Sequence, residues 1–369
     1  MAAAMGLGPV RDPVVVRTTR SCLVRAAIAL TPFVFATHCA LADEGGVSFW
    51  LPGTFGSLAA APQRPGFSFS ITNYYTDLSA GGDVARAREF QNGRIPANVF
   101  VTLSGKVLAR PVDVGLVNST YVFADSVLAG QAAVSLTGLY GHSTTSLAGT
   151  LKGTITTPFG TVPFTRSDSF KDSASGFGDL YPQISLRWNK GVHNFMTYIM
   201  GDVPVGDYRS TRLSNIGIGH GAIDSGGGYT YFNPLTGHEF SAVLGATYNF
   251  VNPSTHYQNG VDLHLDWGAS QFLSKQLFVG LVGYVYKQIG CDRGSGDRVG
   301  CFQSQVVGVG PQVGFLFPVG NMQGYLGVKA YGEFAAEHRP DGWNAWVTFA
   351  ITPGEPGAPS SSMPRFTKG

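Results

Sequence analysis

The chain has 369 residues, of which 44% are apolar, 12% aromatic and only 13% charged, about half the charge typical of a soluble domain. That balance excludes a disordered chain and a nucleic-acid binder, and the 50 Gly and 21 Pro follow no Gly-X-Y period that would mark collagen. The formal net charge of +2 comes from the N-terminus: residues 1–42 carry four Arg and one Asp, and without them 21 basic residues face 22 acidic ones, a net charge of −1.

Those 42 residues have the parts of a secretory signal peptide. Arg11, Arg17, Arg20 and Arg25 precede the apolar run 26–36, and Ala40 and Ala42 frame a small-x-small cleavage site before Asp43. Beyond it no apolar run approaches the roughly 18 to 20 residues a membrane helix needs, which excludes a helical membrane protein. Residues 43–66 are apolar, with Phe49, Trp50, Leu51 and Phe55. Such a stretch exposed in the periplasm is costly, so it either plugs a barrel or covers its periplasmic rim.

From residue 67 the pattern changes to segments of about ten residues with alternating polarity, separated by Gly, Asn, Asp and Pro. In 179–189, Leu180, Ile184, Leu186 and Trp188 oppose Asp179, Gln183, Ser185, Arg187 and Asn189. In 261–267, Val261, Leu263, Leu265 and Trp267 oppose Asp262, His264 and Asp266. In 322–334, Leu326 and Val328 oppose Gln323, Lys329 and Glu333, and in 343–351 Trp343, Val347, Phe349 and Ile351 oppose Asn344 and Thr348. A soluble sandwich would bury the apolar face; an outer-membrane barrel would turn it to lipid. The export signal, the low charge and the aromatics near segment ends (Tyr74, Tyr75, Tyr140, Trp188, Tyr248, Phe250, Trp267, Tyr284, Tyr286) favour an all-β, transmembrane antiparallel barrel.

The segmentation predicts twelve strands, near 67–76, 98–108, 130–142, 177–189, 192–203, 214–232, 239–250, 260–272, 276–289, 303–317, 321–334 and 342–351. Short periplasmic turns then alternate with long outer connections, including 143–176 and 204–213. Only 109–129 breaks the rule, as a long periplasmic stretch; if it forms a hairpin the count becomes fourteen. The barrel spans 67–351, followed by a tail, 352–369.

Cys291 and Cys301 remain after cleavage, in an oxidising compartment, and bracket a polar, Gly-rich stretch that parity puts outside the cell. A hairpin there predicts a disulfide. Asp262, His264 and Asp266 suit a lumenal hydrogen-bond network paired with Arg187 or Lys329, a proton-sensitive gate or a metal site. Expected lumen-lining residues are Asp179, Gln183, Arg187, Asp262, His264, Asp266, Lys329 and Glu333. The triplet Gly226, Gly227, Gly228 is followed by Tyr229 rather than a helix start, so it reads as a bend or bulge in a strand. No nucleophile elbow or zinc-protease helix motif occurs, and no enzyme, cofactor or bound metal is expected.

In order, the chain carries GGVSFWLPG at 45–53, Pro65 and Gly66 before Tyr74 and Tyr75, GFGD at 176–179, PVGDY at 204–208, Thr230 and Tyr231, and Glu239. Tyr248 and Asn249, THYQNG at 255–260, His264 and Asp266, GLVGYVYKQ at 280–288, Gly308 to Pro311, and a closing Trp343 and Phe349 follow. This order resembles the meta-pathway phenol degradation family of outer-membrane, transporter-like proteins, over about residues 45–352. The resemblance implies a β-barrel channel for small apolar or aromatic compounds, with outer-membrane lipid and the barrel assembly machinery as partners. A tail after the last aromatic strand departs from the usual barrel ending. The rival expectation is a structural or adhesive barrel that acts through its outer loops.

Overall fold

A computed structural model describes residues 48–80, 108–157, 160–297, 300, 301 and 303–354. The expected signal peptide, the strand start at 98–107 and the tail from 355 lie outside the described residues. Twelve antiparallel strands close into one barrel, with β1 paired to β12. They are β1 (Gly66–Ala80), β2 (Leu108–Val127), β3 (Gly130–Thr157), β4 (Gly160–Lys190), β5 (His193–Asp202), β6 (Ala222–Asn233), β7 (His238–Asn249), β8 (Asp262–Phe272), β9 (Leu277–Gln288), β10 (Gln305–Val319), β11 (Met322–Glu337) and β12 (Asp341–Pro353).

Period-two patterning decides which way each side chain points. Along β1, Phe67, Phe69 and Ile71 are exposed on the outer wall, whereas Tyr74 and Thr76 are buried inside. The same split runs through β12, where Trp343, Val347 and Phe349 face out and Asn344 and Trp346 face in. Closure leaves no unpaired edge, which a sheet in hydrocarbon requires because lipid cannot satisfy backbone N–H and C=O groups.

Three expectations need correction. The second strand is 108–127, so residues 109–129 are not a periplasmic excursion and the fourteen-strand alternative falls. Its turn to β3 is Leu128 and Ala129, both at positive φ (50° and 58°), as a tight two-residue hairpin demands. Such turns normally use Asn or Gly, so the sequence shows no turn there. Next, 143–176 is no loop: β3 and β4 stay paired out to Thr157 and Gly160, a hairpin running far past the other strands. Outside the membrane neither face has to be apolar, and the alternation that marks the other strands is lost. Finally, β6 begins at 222, and its three glycines pair in unbroken register with β5 and β7, so no bulge exists.

Of the aromatics expected at the membrane borders, Tyr140 and Tyr248 are exposed outside, but Tyr74, Tyr284 and Tyr286 are buried in the lumen. β9 is apolar on both faces, and its polarity pattern could not tell lipid from interior.

Candidate functional site

The lumen is occupied by the chain's own N-terminal segment. From Gly66 at the periplasmic end of β1, residues 48–65 run inward and up. Near the entrance Gln63 N–H donates to Gln131 (2.9 Å), Ala60 N–H to Thr230 (3.0 Å) and Leu58 N–H to Glu239 (2.9 Å). Higher up, Ser57 meets Ser270 at 2.7 Å and receives a bond from Gln312 at 2.6 Å. The segment ends among the outer loops, where Phe49 packs on Tyr181 and clusters with Ile218 and Ala222. Of the two readings left open for 43–66, the described part lies inside the barrel.

Two charged side chains clamp the middle of this segment. Asp266 accepts the N–H of Gly53 on one carboxylate oxygen and that of Phe55 on the other, both at 3.0 Å. Lys329 donates to the carbonyls of the same two residues. Donors and acceptors of one short stretch are thereby satisfied by opposite charges from β8 and β11. Hydrogen bonds to charged groups contribute about 1.5 to 3 kcal/mol each, which makes this the firmest polar anchor of the segment. Gly53 sits at φ 90° against the Tyr331 ring, a conformation and a closeness that suit glycine.

One turn of chain further, Trp50 stacks on His264 with ring centroids 3.6 Å apart and planes 14° apart. His264 Nε2 lies 2.8 Å from Asp224, which also accepts the Thr247 hydroxyl at 2.6 Å. With an acceptor opposite Nε2, that nitrogen carries the proton. A Cβ at Gly245 would collide with both the Tyr198 hydroxyl and the His264 ring, so glycine there makes room for the pair. Trp50 and His264 are each 1% exposed.

The remaining expected lumen residues are spread along the wall. Asp262 takes the Asn249 amide at 2.9 Å. Glu333 joins Tyr284 (2.6 Å) and the Gly342 N–H (3.1 Å), while Asn344 bonds Tyr284 and Trp346. Asp179 accepts the N–H groups of Gly206 and Ile218, each at 2.8 Å, and so draws the loop 203–221 into the outer mouth. Gln183 is half-buried on the inward face of β4, and Arg187 is buried with one hydrogen bond, to Ser185. Asp262, His264 and Asp266 all point inward, as their spacing implies, but each bonds a different neighbour, and the expected pairing of this row with Arg187 is not formed. Sequence reasoning missed Trp50, Tyr198, Asp224, Glu239 and Gln312. Of these, Trp50 and Glu239 stand in the ordered motifs; the others carry no local signal.

Cys291 and Cys301 are bonded, with Cα atoms 4.5 Å apart, in the outer loop between β9 and β10. That loop is tied to its neighbour by a bridge between Gln258 and Arg293. Burial pushes Asp292 above the usual carboxylate range, partly offset by bonds from Gly260 and Gln288. Among the described residues no group of three or more His, Cys, Asp or Glu side chains is arranged to hold a metal ion.

A known structure shares this fold. The COG4313 outer membrane channel from Pseudomonas putida F1 matches with a TM-score of 0.58 and 11% identity, over 82% of this chain and 99% of the other. A Pseudomonas aeruginosa FadL homologue (TM-score 0.34, 9% identity, 85% and 98% covered) and the CymD monoaromatic hydrocarbon channel (0.34, 5%, 86% and 98%) are too distant to carry an argument. No curated protein matches in sequence. With its apolar outer wall and closed sheet, this is a barrel of the bacterial outer membrane. The family model described as "Putative MetA-pathway of phenol degradation" matches residues 107–349, about two thirds of the sequence, and the chain belongs to that family.

Proposed function

We propose that the protein is a non-enzymatic outer-membrane channel that admits small hydrophobic or aromatic compounds by passive diffusion. The observation that carries this reading is the way the lumen is filled. The chain's own N-terminal segment occupies it, tethered at Gly66 and held against the wall only by non-covalent contacts, the Asp266 and Lys329 clamp and the stacking of Trp50 on His264. A barrel needing only rigidity could fill its interior with wall side chains; a bound segment can shift and leave a path. The surroundings it would vacate are both polar and aromatic, with Tyr74, Tyr331, Tyr284 and Trp346 on the facing wall. Such a lining suits an apolar ring passing among hydrogen-bonding groups.

A second reading, attachment through the outer surface, has one observation in its favour. The hairpin of β3 and β4 pairs far beyond the end of the other strands. Liposome swelling and single-channel conductance discriminate. The purified protein, and a variant lacking residues 48–60, should pass small aromatic solutes above protein-free controls, the variant faster. If neither passes solute, the channel reading fails and the hairpin becomes the place to look for activity.

A further inference from the structure

At the periplasmic end of the barrel a half-open pocket of about 330 Å³ lies between β2, β3 and β4, with Pro62 of the plug on its wall. It exists because the pairing of β2 with β3 is interrupted. Val122 pairs with Ala133 and Ser126 with Gln131, so residues 123–125 face the single Ala132 and bow outward. The walls are mixed: Pro62, Phe123, Ala124, Ala129 and Trp188 are apolar, and Asp125, Ser126, Gln131, Arg187 and Asn189 are polar.

One wall group is out of keeping. Arg187 lines the cavity, is 9% exposed, and spends one nitrogen on the Ser185 hydroxyl at 2.7 Å. Its Nε has no partner. Among the described residues the guanidinium makes no ion pair; Asp125, the cavity's carboxylate, stays exposed on the bulge. Asp266 and Lys329 each bond at least two backbone groups of the plug, and Asp179 two of the outer loop, whereas Arg187 meets a single neutral hydroxyl. A buried guanidinium without an anion is costly, and its planar fork matches a carboxylate in two parallel bonds.

We infer that this pocket is a binding site for small aromatic acids, the ring lying against the apolar part of its wall and the carboxylate meeting Arg187. The inference rests on the channel reading and adds a substrate class and an exit site to it. The volume lies at the lower end of the roughly 300 to 1,000 Å³ of small-molecule sites.

Isothermal titration calorimetry of the folded protein in nonionic detergent tests it, with benzoate and uncharged benzyl alcohol as probes. Benzoate should bind saturably and benzyl alcohol about tenfold or more weakly, the size of one charge-assisted contact. Arg187→Gln should remove the preference for benzoate and Arg187→Lys keep part of it. Ala124→Trp, which fills the cavity while leaving Arg187 in place, should weaken benzoate as well and covers the case in which Arg187→Gln does not fold. Equal binding of the two probes, or benzoate binding unchanged by Ala124→Trp, overturns the site. Displacement of benzoate by lower concentrations of dihexanoyl phosphatidylglycerol also overturns it, in favour of a lipid phosphate. Liposome uptake of benzyl alcohol is scored separately: if it persists while benzoate binding is absent, only the acid site fails, and if it too is absent the channel reading fails with it.

Discussion

Along β8 the two faces of one strand are built for opposite surroundings. Leu263, Leu265 and Trp267 stand on the outer wall, where a change of side chain is judged by lipid. Asp262, His264 and Asp266 stand on the inner wall, where it is judged by the fit of a segment more than 200 residues away in sequence. The outer face therefore carries the barrel's assembly, and the inner face carries the state of its lumen. Substitutions one residue apart should separate the two.

Leu265→Arg should have the largest effect. A lipid-facing Arg costs about 2 to 4 kcal/mol at the midplane, and the barrel should lose its heat-modifiable migration in gels. His264→Ala, its neighbour, should leave that migration intact; equal loss in both would show that the facing is misassigned.

Asp266→Ala comes next, with its effect confined to the plug. It strips the acceptor from the buried Gly53 N–H and the partly buried Phe55 N–H and removes the negative charge that acts on Lys329. The barrel should fold, residues 48–60 should become open to protease, and conductance should rise. A variant as closed and protease-resistant as the parent would mean that the clamp does not hold the segment.

The disulfide sharpens the contrast further, because it serves neither face. Thiol labelling without reductant should find no free Cys291 or Cys301. Reduction should remove on the order of 3 kcal/mol from the outer loop alone by the loop-entropy argument, seen as faster proteolysis near 291–301 with the barrel band unchanged. Two labelled cysteines in the untreated protein would sink the bond.

The smallest effect belongs to Asp292 in that loop. Its carboxyl is raised by burial, so the folded loop favours the protonated form. Its contribution is complete below the ordinary value of about 3.9 and is lost as pH rises through the raised one. Proteolysis of the loop should quicken over that rise, and Asp292→Asn should flatten the profile.

How much was legible follows the solvent each residue meets. In β8, β11 and β12, lipid on one side and polar lumen on the other impose strict alternation, and these strands and their facing could be read residue by residue. β2 escaped because its turn, Leu128 and Ala129, uses a strained left-handed backbone without the residues that announce one. The outer part of β3 and β4 escaped because nothing beyond the bilayer obliges a strand to alternate. Tyr284 and Tyr286 looked like border aromatics, since an apolar strand gives no sign of which aromatic faces in.

Local periodicity and the bilayer's intolerance of polar surface were enough to settle the class of the molecule and the inward row 262–266, whereas twelve strands against fourteen was decided by the pairing of 108–127 with a neighbour on each side. Tertiary structure alone decided that residues 48–65 fill the lumen and that Asp266 and Lys329 grip one short stretch of them. It also set Arg187 in the wall of a pocket at the periplasmic rim. Those outcomes depend on which side chains meet across a closed barrel, and barrel closure brings together residues whose separation along the chain carries no record of the meeting.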